Sequence, residues 1–192
     1  MIKTESFSQV EVRLALELRR WLEAHHTQSR SVWLVTFKKH TGKAYLSRFA
    51  VLDELLCFGW VDGLARQLDA ERTMQLISPR QTNAWTKTYR DRAARLEREG
   101  RMLLPGLAAI ARSQAMGLWL AHPDVDALEL PSDLKAALQA RPPAYPCFMG
   151  FAPSHQRNVL RWIATAKQPG TRARRIETAA ALAAEGNKVP QF

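Results

Sequence analysis

The hydrophobic and polar positions of this chain change their period several times. Residues 32–37, Val-Trp-Leu-Val-Thr-Phe, are a run of β-branched and aromatic residues that predicts a buried strand. The segment 60–63 predicts a second, short strand, and the alternation at 73–77 predicts a third, half-buried one. Because only a short polar link joins the last two, we expect them to pair antiparallel. The pattern predicts a small, mainly antiparallel sheet of about three strands.

Apolar residues at helical spacing predict helices around these strands. Ser8 and Glu11 match a capping box, so a first helix is expected to follow directly from Ser8. Ser47 is placed to cap a second helix, which ends near Gly59. A further charged helical pattern starts at Trp85 or Thr86.

Beyond residue 120 the patterns are only helical. Residues 121–131 contain two prolines and predict a connecting segment. Ser154 and Thr171 are placed to cap two later helices. We therefore expect an α+β main domain at residues 1–120, with helices on its sheet, and an all-helical C-terminal module at 121–192 docked on it.

The stretch 55–63 joins a predicted helix to a predicted strand. Its apolar helix end breaks at Gly59 and continues into Trp60-Val61-Asp62-Gly63. A carboxylate beside large apolar groups loses hydration when it is buried, so a partner is expected to hold Asp62.

The candidate ligand site lies at predicted strand ends and at a helix start, where ligands often bind. Arg80 follows a proline, which fixes its direction, and its guanidinium can fork onto a carboxylate or phosphate. A helix N-terminus near Lys87 favours an anion. The alternative is a buried ion pair of Asp62 with Arg80 that fixes the register of two strands. The candidate residues are Trp60, Asp62, Arg80, Trp85 and Lys87.

Other reactive residues give weaker patterns. Cys57 sits at an apolar helix end, a poor setting for a thiolate. Asp53 and Glu54 are adjacent on a helix and point apart, so a solvated face is expected for them. No metal or cofactor motif is found, and no catalytic residue is assigned. An enzyme remains the alternative, with Asp62 as base and Arg80 as anion clamp on a small anionic substrate.

Charge adds a second candidate surface. The 192-residue chain has 46% hydrophobic residues and a formal net charge of +10, and residues 150–192 are its most cationic part. Arg172 and Arg175 share a face near a helix N-terminus, where they oppose the helix dipole. Such a placement suggests an acidic protein, nucleic-acid phosphate or the acids of segment 121–133 as a partner. With no signal sequence and no membrane span in the pattern, we expect a cytoplasmic protein.

A string of motifs resembles the YdeI/OmpD-associated family, also described as bacteriocin-protection proteins. The resemblance extends over roughly residues 6–188, and Tyr89 stands where the family pattern has an asparagine. It implies a binding or stress-protection protein with no established catalytic activity. The motifs are Leu56–Gly63, Ser78-Pro79-Arg80, Trp85-Thr86-Lys87, Gly100-Arg101-Met102, Leu130–Leu134, Trp162–Lys167 and Thr171–Ile176.

Overall fold

A computed structural model describes residues 6–42 and 45–190 of the chain. The chain divides into two compact units at the boundary between Ala121 and His122. The N-terminal unit is α+β, whereas helices make up the regular structure described in the C-terminal unit.

The N-terminal unit contains a mixed sheet with the strand order β1-β2-β4-β3. Its strands are β1 Gln9–Glu11, β2 Val32–Phe37, β3 Trp60–Gln67 and β4 Arg72–Pro79. β4 pairs antiparallel with both β2 and β3, whereas β1 pairs parallel with β2. The α+β class is therefore confirmed, but the expected three antiparallel strands are four strands in a mixed sheet.

The additional strand, β1, lies where a helix start was expected. The amide of Trp33 donates to Ser8 O at 2.9 Å, and the amide of Val12 donates to Val35 O at 3.1 Å. These bonds hold residues 9–11 against β2, so helix α1 begins only at Ala15 and has no side-chain cap. The capping-box prediction at Ser8 is wrong because the local motif is overridden by pairing with a strand more than 20 residues away.

Helices α1 Ala15–His25, α2 Arg48–Cys57, α3 Lys87–Arg98 and α4 Leu104–Ala115 complete this unit. The hydroxyl of Ser47 accepts from the amide of Ala50 at 3.2 Å, which confirms the predicted cap of α2. α2 is the central helix, because every residue from Val51 to Cys57 is buried. The fully buried core side chains include Leu18, Leu22, Leu34, Leu55, Leu56, Trp60, Ile77 and Leu96.

Two acids of α2 are buried rather than solvated. Asp53 accepts from Arg92 at 2.9 Å and from Arg95 at 2.6 Å. Glu54 accepts from Arg19 at 2.9 Å and from Arg101 at 2.8 Å. The expectation of a solvated face is wrong because each diverging carboxylate meets its own pair of guanidinium groups.

In the C-terminal unit, the structure describes five helices around an apolar core, within residues 122–190. They are α5 Pro123–Ala127, α6 Ser132–Gln139, α7 Ala144–Gly150, α8 Pro153–Ala164 and α9 Pro169–Ala184. Neither α8 nor α9 has a side-chain cap, so the predicted caps at Ser154 and Thr171 are wrong; each helix starts earlier, with a proline in its first turn. The segment predicted to be only a connection contains α5.

Candidate functional site

Asp62 is held by three donors in the N-terminal unit. Its side chain is only 4% exposed. Gln75 Nε2 donates to Oδ2 at 3.1 Å, and Arg48 Nη2 approaches the same oxygen at 3.4 Å. The hydroxyl of Tyr89, in the first turn of α3, donates to Oδ1. These bonds supply the polar partners that a carboxylate needs at a site removed from water.

Arg80 follows β4 and is 3% exposed. Its guanidinium carbon lies 4.3 Å from the ring centroid of Trp85 and 5.0 Å from that of Tyr89. Nη1 donates to Asn83 O at 3.2 Å, whereas Nε and Nη2 are buried and find no hydrogen-bond partner in the part of the chain that the structure describes. Arg80 is therefore a buried cation with two free donors.

Asp62 and Arg80 are linked through Tyr89 and not by direct contact. Within the described residues, no hydrogen bond or ion pair joins the two side chains; Tyr89 packs its ring on the cation and directs its hydroxyl to the carboxylate. The proposed direct ion pair is wrong, because the described partners of the Asp62 carboxylate are Tyr89, Gln75 and Arg48. In the ladder of β3 and β4, Trp60 pairs with Pro79.

Burial shifts the pKa of both Arg80 and Tyr89. Desolvation lowers the pKa of Arg80 to about 10, against the opposing influence of Tyr89 and Asp62. Arg80 thus remains charged at neutral pH. Burial is the main cause that raises the pKa of the Tyr89 hydroxyl, and the hydrogen bond to Asp62 is the second. The hydroxyl therefore keeps its proton and remains a donor.

The other three predicted site residues have different roles. Trp60 is fully buried, and its Nε1 donates to His26 O at 3.3 Å, which fixes the segment after α1. Trp85 lies against Arg80, and its Nε1 donates to Ser113 Oγ at 2.7 Å. Lys87 lies apart from this group, because its Nζ pairs with Asp91 Oδ2 at 2.6 Å on an exposed part of α3.

A pocket of about 390 Å³ has Arg80 in its wall. Segments 26–29 and 79–82 contribute hydroxyl and amide groups, and Arg112 and Met116 of α4 complete its lining. Arg112 is exposed and has no ion-pair partner among the described residues. We refer to this pocket as the Arg80 pocket.

A second, larger cavity of about 560 Å³ lies over the sheet. One side is the sheet face that carries Thr36, Thr73 and Gln75; the other is the chain around the start of α2. We refer to this cavity as the basic cleft, since its charged lining residues are Lys38, Lys39, Arg48 and Arg66.

The predicted cationic pair of the C-terminal unit is engaged internally. Arg172 Nε and Nη2 donate to the two carboxylate oxygens of Asp133 at 2.8 and 2.9 Å. Arg175 donates to Trp162 O, and its guanidinium lies 5.2 Å from the centroid of the Trp162 ring. Of the suggested partners, the structure thus brings together Arg172 and an acid of the 121–133 segment.

The sequence prediction missed four residues around Asp62 and Arg80: Arg48, Gln75, Tyr89 and Arg112. Tyr89 could have been found from the sequence, because it stands four residues after Trp85 where the family pattern has an asparagine. Arg48 and Gln75 lie 14 and 13 residues from Asp62 and carried none. No group of three or more His, Cys, Asp and Glu side chains in residues 6–42 and 45–190 is arranged to hold a metal ion. Across the same residues, every helix is too short or too polar to cross a bilayer.

Comparisons with family models match both parts of the chain. A model described as Domain of unknown function (DUF8412) matches residues 10–109. A model described as Bacteriocin-protection, YdeI or OmpD-Associated matches residues 127–186. The second match confirms the resemblance predicted from the sequence, over a shorter range than expected. Neither the curated proteins nor the solved structures gave a match.

Proposed function

We propose that this chain, a member of the DUF8412 family, is a cytoplasmic binding protein for a small anionic molecule. The DUF8412 model matches residues 10–109, and the YdeI/OmpD-associated model matches residues 127–186. The anionic group is received in the Arg80 pocket. The observation that carries this proposal is the pair of buried donors, Nε and Nη2 of Arg80, that no group of residues 6–42 and 45–190 satisfies.

The energetics of a buried cation support an anionic ligand. Buried donors are nearly always hydrogen-bonded, and a buried charge is costly unless it is paired. For Arg80, the lowering of the pKa to about 10 corresponds to roughly 3 kcal/mol of unfavourable charging. A carboxylate, phosphate or sulfate group would supply the missing charge and acceptors, and Arg112 adds a second cation to the same pocket.

Binding is favoured over catalysis because the reactive groups nearby are engaged. The Asp62 carboxylate accepts from Arg48, Gln75 and Tyr89 and is almost fully buried, so it is poorly placed to act as a base. Burial raises the pKa of the Cys57 thiol, which disfavours a thiolate nucleophile. We propose that any stress-protection role of the family is exercised in this chain through ligand binding.

The test is a calorimetric titration with sulfate and with inorganic phosphate. We expect saturable one-to-one binding to the unmodified chain and weaker binding to Arg112→Gln. Arg80→Met, checked for native circular dichroism, should lose the binding. Arg98→Gln is the matched control, because Arg98 is an exposed cation of the same unit outside the pocket.

Two results would overturn the proposal. One is the absence of saturable binding of either ion at millimolar concentration. The other is an equal loss of affinity in Arg112→Gln and Arg98→Gln, which would mean that the ions respond only to net charge.

A further inference from the structure

The basic cleft has the dimensions of a ligand site and is separate from the Arg80 pocket. Its volume of about 560 Å³ falls within the roughly 300–1,000 Å³ of small-molecule pockets. The two cavities have none of their described lining residues in common. Whatever the basic cleft binds is therefore a different molecule, or a different part of one, from the anion received beside Arg80.

The charged residues that line the basic cleft are all cations. Its described lining includes Lys38, Lys39, Arg48 and Arg66, and it includes no aspartate or glutamate. In a cleft with low-dielectric walls, cations of one sign concentrate anions from solution. The charge pattern therefore selects an anionic ligand.

Two of these four cations are accessible to a ligand, and the other two already interact with other groups of the protein. Lys38 Nζ donates to Asp69 O at 2.8 Å. The Arg66 guanidinium lies 5.5 Å from the centroid of the Trp33 ring, on the opposite face of the sheet from Thr36 and Thr73. Lys39 is exposed and has no partner among the described residues. The Arg48 side chain is 76% exposed, and its one polar contact among the described residues is that to Asp62 at 3.4 Å, so most of its donors are accessible to a ligand.

The rest of the lining divides into a polar floor and an apolar wall. On the sheet, Thr36 pairs with Thr73, and their hydroxyls lie 3.3 Å apart; Gln75 is their neighbour on the same face. On the opposite side stand Leu46 and Val51, together with the half-exposed ring of Tyr45. A ligand that fills this cleft meets apolar surface, hydroxyl groups and cations at once.

We infer that the basic cleft binds an organic anion with a flat apolar body, whose carboxylate, sulfonate or phosphate group is held by Lys39 and Arg48. The apolar body lies between Tyr45 and the sheet. An inorganic ion would leave the apolar wall unused, and a neutral apolar molecule would leave the two cations unused.

A pair of matched fluorescent probes tests this inference. Anilinonaphthalene sulfonate has a flat apolar body with an anionic group, and phenylnaphthylamine has the same ring system without the charge. We expect the unmodified chain to bind the sulfonate about tenfold more tightly than the amine, the difference made by hydrogen bonds to charged groups. Arg48→Gln and Lys39→Gln should each remove most of that difference while leaving the amine affinity unchanged.

The controls separate this site from the Arg80 pocket. Arg112→Gln and Arg98→Gln remove exposed cations elsewhere in the unit and should leave sulfonate binding intact. Equal affinity for the two probes would overturn the inference, as would sulfonate binding that is indifferent to both Arg48→Gln and Lys39→Gln. Because the sulfate titration depends on Arg112 and Arg80, either site can fail without the other.

Discussion

Tyr89 donates its hydroxyl hydrogen to Asp62 while its ring packs against the guanidinium of Arg80. One side chain thus satisfies a buried carboxylate and covers a buried cation. Tyr89 can do both because it lies in the first turn of α3, which Thr86 caps by accepting from the Tyr89 amide at 3.4 Å. The capped start of α3 therefore sets the position of the side chain that contacts both Asp62 and Arg80.

Removing the Tyr89 hydroxyl tests the value of this bond. Tyr89→Phe keeps the ring over Arg80 but leaves Asp62 with Gln75 and Arg48 as its described partners. We therefore expect the free energy of unfolding to fall by about 1–2 kcal/mol. Sulfate affinity should be unchanged. Urea unfolding followed by tryptophan fluorescence measures the loss, since five of the six tryptophans lie before residue 122.

Tyr45→Phe is the control for that measurement. Tyr45 is half-exposed, and its hydroxyl has no described hydrogen-bond partner, so its removal should leave stability nearly unchanged. Equal losses in the two variants would contradict the assignment of the Tyr89–Asp62 bond.

The dependence of sulfate binding on pH follows from the lowered pKa of Arg80. The pKa of Arg80 is lower in the folded protein than in the unfolded chain, so its charge destabilises the folded state below about pH 10. That penalty is relieved as the pH rises above about 10 towards the higher pKa of the unfolded chain. Sulfate needs the charged form. We expect its affinity to be constant from neutral pH to about pH 9 and to fall above about pH 10.

Calorimetric titrations across that range measure the effect. Sulfate does not titrate there, and the described lining of the Arg80 pocket contains no lysine that would lose its charge. An ordinary exposed guanidinium keeps its proton over this range. Affinity that stays flat to pH 11 would therefore show that Arg112, and not Arg80, holds the ion.

The parts of the fold that follow from local patterns were predictable. β2 is a continuous apolar run and α2 has a hydroxyl cap, and both occur where the sequence indicates. β1 has only three residues, too few for an alternation to be recognised, and its existence depends on β2. Local motifs describe a segment by itself, whereas a short edge strand is defined by its neighbour.

The candidate site shows the same division. Arg80, Trp85 and Asp62 were predicted from their positions at strand and helix ends, and all three contact Tyr89 or Arg80. Lys87 was assigned from the helix N-terminus alone, although an acid four residues later offered the usual helix-surface pair. The partners of Asp53 and Glu54 come from other segments of the chain, which residue spacing within α2 cannot reveal.

Two glycines, each directly after a proline in the first turn of a helix, allow a matched test of packing. A Cβ on Gly106 would lie 2.6 Å from the carbonyl oxygens of both Leu56 and Cys57, whereas a Cβ on Gly170 would meet nothing within 4 Å. We expect Gly106→Ala to lower the free energy of unfolding by about 1–3 kcal/mol, because backbone atoms cannot yield easily.

Gly170→Ala should instead raise stability by up to about 1 kcal/mol, since alanine restricts the unfolded chain and favours helix. Urea unfolding monitored by circular dichroism compares the two variants. Shifts of the same sign and size would show that the contact between α4 and the end of α2 is not as close as the structure has it.

The buried acid Glu54 provides a test of the charge network behind α2. Its side chain is 6% exposed and accepts from Arg19 and Arg101, whose side chains are 25% and 38% exposed. Glu54→Gln should lower the free energy of unfolding by about 2–3 kcal/mol, because two charge-assisted bonds are weakened at a buried position. Arg101→Gln should cost no more than about 1 kcal/mol, since that cation is partly solvated.

A double-mutant cycle isolates the interaction of this pair. Once Glu54 is neutral, Arg101 has lost the charge it was bound to, so Glu54→Gln with Arg101→Gln should cost about 0.5–1.5 kcal/mol less than the sum of the single changes. Glu54→Gln with Arg98→Gln should be additive, because Arg98 is exposed and makes no described contact with Glu54. Additivity in both cycles would mean that Arg101 packs beside Glu54 without stabilising its charge, and that Arg19 alone holds the carboxylate in the core.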